Sequence, residues 1–197
     1  MHPTFDDFRV TGFINESTHG RASVSLVKAG ALETFRSRGV RAGDVATSLT
    51  VNNRLLMSDT RDEWSDHWEA INKASGRVLI HGLGLGCYLK AILTKPEVTS
   101  VDVVELEADV LALIGPYYAS DPRVHLHHGD AYTFTFPQGA TWDVAWHDIW
   151  ADKCTDDLDG HARLNRRYGR KVGWQGCWAH PELVSRRRWE KTQWWSR

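Results

Sequence analysis

Four apolar runs in the middle of the chain, each closed by a glycine or an acidic residue, define its pattern. They occupy residues 78–80, 100–105, 123–130 and 142–148. Short apolar runs bounded by turn residues are typical of strands buried in a parallel sheet. Helical segments follow the first two runs and end at Lys95-Pro96 and Gly115-Pro116, which provides the crossovers that parallel strands require. The pattern therefore predicts an α/β fold with a doubly wound, mostly parallel sheet.

Residues 1–57 show a different pattern of polar and apolar positions. Small polar and apolar side chains alternate over 22–27 and again over 45–57, where Asn52-Asn53 interrupts the pattern. A period of two residues is typical of antiparallel strands with one buried face. We expect a small N-terminal β-rich cap over 1–57, the parallel-sheet domain over 58–155 and a C-terminal extension over 156–197.

A helix is expected directly before the first buried run. Thr60 and Glu63 form a capping-box pattern, and Ser75-Gly76 ends the segment. The stripe at helical spacing consists of Trp64, His67, Trp68 and Ile71. A histidine in such a stripe is either a packing residue or a functional group that faces a site, and spacing alone leaves both open.

Composition agrees with a soluble globular chain. Its 197 residues, 42% hydrophobic and 25% charged, suffice for a full core. No apolar stretch approaches the ~20 residues of a membrane span, and the N-terminus lacks a signal-peptide core. Three cysteines without a Cys-x-x-Cys pair argue against a disulfide framework. We therefore expect a cytoplasmic protein without membrane contact, and no metal site, since His125, His127 and His128 point to both sides of a strand.

The ends of the four runs carry the candidate chemistry. The first run ends in the glycine turn Gly82-x-Gly84-x-Gly86, and a helix opens at Cys87 with its amide donors towards a ligand. Glu105 follows 23 residues after Gly82, about where a βαβ unit places the acid that binds ribose hydroxyls. Asp130 and Asp148 end the next two runs, and parallel strands share one carboxyl edge. The sequence predicts a site for a nucleotide-like cofactor at that edge.

Over about residues 54–150, the chain resembles the class I S-adenosylmethionine-dependent methyltransferases, and among them most the spermidine synthase branch. The motifs that carry the resemblance are the strand and glycine run of 78–87, Val103-Val-Glu105, Gly129-Asp130-Ala131, and upstream Leu56-Met-Ser-Asp59 followed by Asp62-Glu63 and His67. The resemblance implies a Rossmann-like fold, S-adenosylmethionine as cofactor and transferase activity on an unknown acceptor.

The resemblance also implies roles for single residues. Glu105 would bind the ribose and Asp130 the adenine edge of the cofactor. The implied cofactor-binding residues are His81, Gly82, Leu83, Gly84, Gly86, Glu105, Leu106, Asp130, Ala131 and Asp148. The catalytic candidates are Asp148 and His67, with Asp148 orienting the acceptor or removing its proton. Methyl transfer from a sulfonium needs mainly alignment, because the positive sulfur is already a good leaving group.

The chain departs from the spermidine synthase pattern in places where that family binds its amine and the amino-acid end of its cofactor. Leu85 stands for the Asp within the glycine run, Asp66 for the Tyr before the histidine, and Trp68 for the Glu after it. The synthase motif Asp-Ser-Ser-Asp-Pro becomes 148–152, which keeps only the first Asp in register. A methyltransferase is therefore favoured over an aminopropyltransferase, and a non-catalytic cofactor-binding or assembly protein is a third hypothesis.

A net charge of −1 conceals a separation of charge along the chain. Residues 161–197 carry ten Lys or Arg and two Glu, a net +8 against −9 for the remainder, together with five of the ten tryptophans. Basic and aromatic side chains together either dock a segment onto an acidic body or a second subunit, or bind nucleic acid. The acidic remainder favours docking, while a homodimer and a nucleic-acid partner remain open.

Overall fold

The alternating N-terminal segments form an antiparallel sheet of their own. The computed structural model describes residues 2–28 and 43–194 of the chain. The strands, in sheet order, are β1 (Ser17–His19), β2 (Ala22–Lys28), β3 (Val45–Val51) and β4 (Arg54–Ser58). Asn52 and Asn53, with φ of 52° and 60°, make the two-residue turn between β3 and β4, a conformation that asparagine tolerates. The predicted antiparallel portion is confirmed, and β1 adds a strand that the pattern did not predict.

The apolar runs in the middle of the chain form one parallel sheet. Its strands are β5 (Gly76–His81), β6 (Val98–Glu105), β7 (Val124–His128), β8 (Trp142–His147) and β9 (Val172–Cys177). They lie in the order β7-β6-β5-β8-β9, and every pair is parallel. The chain leaves β5 towards β6 and returns to its other side as β8, so the switch in strand order lies between β5 and β8.

Helices cover both faces of this sheet. They are α1 (Phe5–Phe8), α2 (Arg61–Lys73), α3 (Cys87–Leu93), α4 (Ala108–Ile114), α5 (Leu158–Tyr168) and α6 (His180–Trp194). Alternate residues of β5 point to opposite faces: Val78 and Ile80 join the larger core with α2, α3 and α4, whereas Leu79 packs against Leu164 and Tyr168 of α5. The predicted doubly wound, Rossmann-like fold is confirmed.

One feature of the C-terminal part differs from the sequence pattern. Strand β9 joins the sheet although its sequence, Val-Gly-Trp-Gln-Gly-Cys, contains two glycines and weak alternation. It forms because the free edge of β8 offers backbone partners, as in the register Val144 to Trp174.

Within the ranges that the structure describes, no helix combines the length and apolarity needed to cross a bilayer.

Helix α6 lies against the loop between β8 and α5. Arg186 donates to the carbonyl of Lys153 at 2.9 Å and pairs with Glu182 at 3.2 Å. Arg187 donates to the carbonyl of Thr155 and lies 3.6 Å from Asp159. At least these two arginines therefore serve intramolecular docking. The homodimer and the nucleic-acid partner stay predictions.

Candidate functional site

A cavity of about 760 Å³ opens at the carboxyl ends of β5, β6 and β8. Its volume falls within the ~300–1,000 Å³ that is usual for small-molecule sites. Nine residues named from the sequence line it: His67, Gly82, Leu83, Gly84, Glu105, Leu106, Asp130, Ala131 and Asp148. The structure thus brings the three strand-end carboxylates and the glycine turn to one hollow.

The glycine turn is held by atoms of the protein itself. Gly82 and Gly84 have φ of +90° and +53°, a region that side chains with a Cβ rarely adopt. A Cβ would lie 2.0 Å from the carbonyl oxygen of Asp148 at Gly82, and 2.3 Å from Sδ of Met57 at Gly84. Met57 Sδ also accepts the N–H of Leu85 at 3.0 Å. Strand β4 therefore rests on the turn, a contact that the sequence pattern did not predict.

Glu105 connects the end of β6 to the same turn. Its Oε2 accepts the N–H of Leu83 at 2.6 Å, and its Oε1 accepts the N–H of Glu107 at 2.8 Å. Burial raises the pKa of Glu105 above its ordinary value, although the backbone N–H groups around it oppose that rise. The opposing N–H groups are those of Glu107, Leu83, Gly84 and Leu106, so the carboxylate ties the end of β6 to the glycine turn.

The end of β7 provides a second oriented carboxylate beside apolar surface. Asp130 Oδ1 accepts the N–H of Tyr132 at 2.8 Å, which fixes the carboxylate where it lines the cavity. Ala131 and Leu106 line the same cavity, and Leu106 remains 61% exposed despite its apolar side chain. This end of the cavity therefore suits a flat apolar ring with a polar edge.

His67 and Asp148 form a hydrogen-bonded pair at the other end of the cavity. His67 Nδ1 donates to the carbonyl of Glu63 at 2.7 Å, and Nε2 lies 2.8 Å from Asp148 Oδ2. Burial alone would lower the pKa of His67, but the hydrogen bond and charge of Asp148, with Glu63, outweigh it and raise that pKa. Since both ring nitrogens face acceptors, His67 is assigned as an imidazolium paired with the Asp148 carboxylate.

This pairing defines what the site can do chemically. The bond from His67 occupies Oδ2 of Asp148, which leaves Oδ1 as the oxygen available to an acceptor group. Two aromatic side chains that the sequence did not single out lie beside His67, Tyr88 with its ring centre at 6.1 Å and Trp146 at 5.7 Å, and Trp150 also lines the cavity. The site can therefore orient a polar group against a fixed carboxylate within aromatic walls.

Two of the residues named from the sequence do not line the cavity. The side chain of His81 lies on the α5 face, with its Nδ1 2.7 Å from Nδ1 of His147 and its ring 4.6 Å from that of Tyr168. Gly86 lies under Tyr118, whose hydroxyl donates to the Gly86 carbonyl at 3.1 Å. In the structure, both residues contact supporting parts of the fold.

The histidines of β7 serve ordinary contacts. His127 Nε2 lies 2.9 Å from Asp102, and His128 Nε2 lies 3.0 Å from the carbonyl of Leu106. Across residues 2–28 and 43–194, no group of three or more His, Cys, Asp or Glu side chains is positioned to hold a metal ion.

In comparisons with known proteins, the chain is similar to two kinds of transferase. No protein-family model matches the chain. It is 36% identical over 119 residues to Polyamine aminopropyltransferase 2 of Caldanaerobacter subterraneus, covering 55% of this chain and 38% of that protein. It is 36% identical over 64 residues to Ribosomal RNA small subunit methyltransferase A of Pseudomonas syringae, covering 32% of this chain and 23% of that protein.

A solved structure gives a similar, more distant match. The chain resembles the SAM-bound amino pentose methyltransferase CalS10 of Micromonospora echinaspora at 24% identity and a TM-score of 0.38, over 54% of this chain and 44% of that one. The resemblance stated from the sequence is confirmed: the chain is similar to methyltransferases and to an aminopropyltransferase. It spans well under half the length of the curated relatives it matches.

Proposed function

We propose that this chain binds S-adenosylmethionine and transfers its methyl group to an acceptor. The observation that carries the proposal is the convergence of Glu105, Asp130, Asp148 and the glycine turn on one cavity. The names of the curated relatives support a transferase of this kind.

The residues of the cavity fit the parts of this cofactor. The carboxylate of Glu105 lines the cavity at the end of β6 and suits the vicinal hydroxyls of a ribose, the group that an acid at this place in a βαβ unit binds. Asp130 suits an exocyclic amino group, and the apolar side chains of Leu106 and Ala131 suit the adenine ring. The glycine turn offers backbone groups without side-chain obstruction.

When bound, the cofactor would supply an electrophilic methyl group on a positive sulfur. The chain then has to position the acceptor and exclude competing water. Oδ1 of Asp148 accepts a hydrogen bond from the acceptor, and the imidazolium of His67 holds the carboxylate in place through Oδ2. Where the acceptor carries a proton that must leave, Oδ1 of Asp148 is the group that receives it.

Aminopropyl transfer is a second candidate, favoured by the match to Polyamine aminopropyltransferase 2. The same convergence of carboxylates would hold the adenosyl part of a decarboxylated cofactor. The two candidates differ at the amino-acid end of the cofactor, where a methyltransferase must accommodate a carboxylate.

Calorimetric titration with three ligands separates these candidates. We expect binding of S-adenosylmethionine and of its demethylated product, and binding weaker by at least about tenfold for the decarboxylated form. A preference for the decarboxylated form would establish the second candidate, and absence of binding by all three would refute both.

Matched variants assign the binding to this cavity. Glu105→Gln and Asp130→Asn should each weaken binding of S-adenosylmethionine by about tenfold or more, the effect of a lost charge-assisted hydrogen bond. Glu69→Gln removes an exposed acid of α2 and should bind as the wild type does. Because Glu105 also holds the glycine turn, Asp130→Asn keeps the test valid if Glu105→Gln fails to fold.

A further inference from the structure

A group of cations lies on the outer face of α5 and directly after its end. We define the α5 ridge as Arg163, Arg166, Arg167, Arg170 and Lys171. All five are exposed, and residues 161–173 contain no acidic residue. Among the residues that the structure describes, none of the five forms a salt bridge, in contrast to Arg186 and Arg187 of α6.

The ridge exists because α5 has two opposite faces. His161, Leu164 and Tyr168 recur at helical spacing and are buried against the sheet, so the residues between them point to solvent. The helix dipole favours cations in the last turn and accounts for Arg166 and Arg167. It does not account for Arg163, which lies before the last turn.

The ridge is continuous with the candidate site. The guanidinium carbon of Arg163 lies 4.7 Å from the centre of the Tyr132 ring, and Tyr132 lines the cavity. Arg167 donates to the carbonyl of Phe134 at 2.7 Å, which fixes α5 to the loop that follows Asp130. A Cβ at Gly160 would lie 2.5 Å from the Tyr132 hydroxyl and 3.5 Å from the Trp150 ring, so Tyr132 borders the segment that follows Asp148. A ligand that lies along the ridge therefore reaches the rim of the cavity at Tyr132, on the side of Trp150.

We infer that the α5 ridge binds the phosphates of a single-stranded nucleic acid and that the acceptor is a base of that strand. This inference rests on the proposed function for the acceptor, while the binding surface stands without it. Four of the five cations are arginines, whose planar guanidinium groups bind phosphate oxygens in pairs. The cation beside Tyr132 combines charge with an aromatic face, the pairing that binds bases and backbone together.

The surroundings of the ridge argue against an anionic membrane as its partner. Surface helices that bind membranes place apolar side chains beside their cations. The exposed large hydrophobic side chains of the described residues are Phe13, Leu26, Leu55, Trp68, Leu106 and Trp189, and none belongs to α5, β9 or the turn between them. Charge without apolar anchors fits a polyanion in solution.

The test is fluorescence anisotropy with a labelled single-stranded oligonucleotide of about 12 nucleotides, within the usual site size, titrated across about 50 to 200 mM salt. The ridge variant is R166Q/R170Q/K171Q. The control K73Q/R188Q/K191Q removes the same charge from exposed lysines and an arginine of α2 and α6. Melting temperatures verify that both variants are folded.

We expect the wild type to bind with a salt-dependent affinity and the ridge variant to lose at least about tenfold at low salt. The ridge variant lacks three cations, and each phosphate contact to a single strand contributes ~0.7 to the slope of log K against log salt. The size of that slope should therefore fall by about 2. The control should keep the wild-type slope. Equal losses in both variants, unchanged binding in the ridge variant, or no binding by the wild type would overturn the inference.

Two further measurements separate the possible failures. Binding to phosphatidylserine-rich vesicles that depends on the ridge, without oligonucleotide binding, would overturn the inference in favour of a membrane partner. Calorimetry with S-adenosylmethionine on the same three proteins tests the proposed function separately. Oligonucleotide binding through the ridge without cofactor binding would refute the methyltransferase and the acceptor base, and leave the phosphate-binding surface established.

Discussion

Mild acid should destabilise this protein, because two imidazoles are buried where β5 and β8 meet. Gln175 donates to the carbonyl of Asn165 at 2.9 Å, which turns its Oε1 towards Nε2 of His147 at 3.2 Å. His147 therefore carries its hydrogen on Nε2, and its Nδ1 accepts from Nδ1 of His81 at 2.7 Å. Nε2 of His81 is then a buried acceptor without a hydrogen-bond partner among the described residues.

The magnitude follows from the pKa of His147. Burial lowers that pKa from 6.5 to about 4, and burial also lowers the pKa of His81. Between these two pH values, the unfolded chain binds a proton that the folded chain refuses, so stability is complete above about pH 6.5 and falls as the pH drops towards 4. One proton changes the free energy of unfolding by about 1.4 kcal/mol per pH unit, so His147 alone removes about 3 kcal/mol.

Urea unfolding followed by tryptophan fluorescence between about pH 4.5 and 7.5 measures this loss. His147→Asn should show a smaller decrease in the free energy of unfolding below pH 6.5, because the titrating group is gone. The control His125→Asn removes an exposed imidazole from β7 and should keep the wild-type decrease. If the wild type is equally stable at pH 7 and 4.5, or if His147→Asn keeps the full acid sensitivity, this account of the buried pair is wrong.

Three other substitutions test further contacts. Gly84→Ala should destabilise the fold by about 1–2 kcal/mol, because the position has a positive φ and the new methyl group would meet the Met57 sulfur. Adding Met57→Ala should relieve the steric clash but not the backbone strain, which a double-mutant cycle in urea would measure. Asp148→Asn should lower the pKa of His67, since burial then acts with less opposition; an NMR titration of the ring would detect it, and an unchanged pKa would exclude the pairing. Lys95→Met removes the donor to the last carbonyls of α2 and should cost about 1–2 kcal/mol, with faster amide hydrogen exchange there.

The sequence predicted the positions of the carboxylates well because they depend on a general property of parallel strands. Once three runs are assigned to one sheet, the residues at their ends share an edge, and Glu105, Asp130 and Asp148 follow without knowledge of the packing. The period of two also separates the faces of Ile80 and His81. Ile80 lines the cavity, so His81, its neighbour along the strand, faces α5 and any contact with a ligand would come from its backbone.

Contacts between distant segments could not be predicted in this way. Met57 rests on Gly84 because the N-terminal sheet packs across the turn, and no local pattern encodes that distance. Strand β9 has little strand character of its own and depends on the edge of β8 for its backbone partners. Such features follow from the assembled fold rather than from the local sequence.

These distant contacts explain how the glycine turn and the carboxylate of Asp148 are held in place together. Met57 of β4 holds the glycine turn by accepting the N–H of Leu85, and His67 of α2 holds the carboxylate of Asp148 through its Nε2. Asp148 in turn places its carbonyl against Gly82, so the turn, the carboxylate and the histidine form one connected unit. A ligand that bridges Glu105 and Asp148 would therefore bind to groups whose positions are set in advance, which reduces the ordering cost of binding. Segments that lie far apart in the chain thus supply the alignment that the proposed methyl transfer requires.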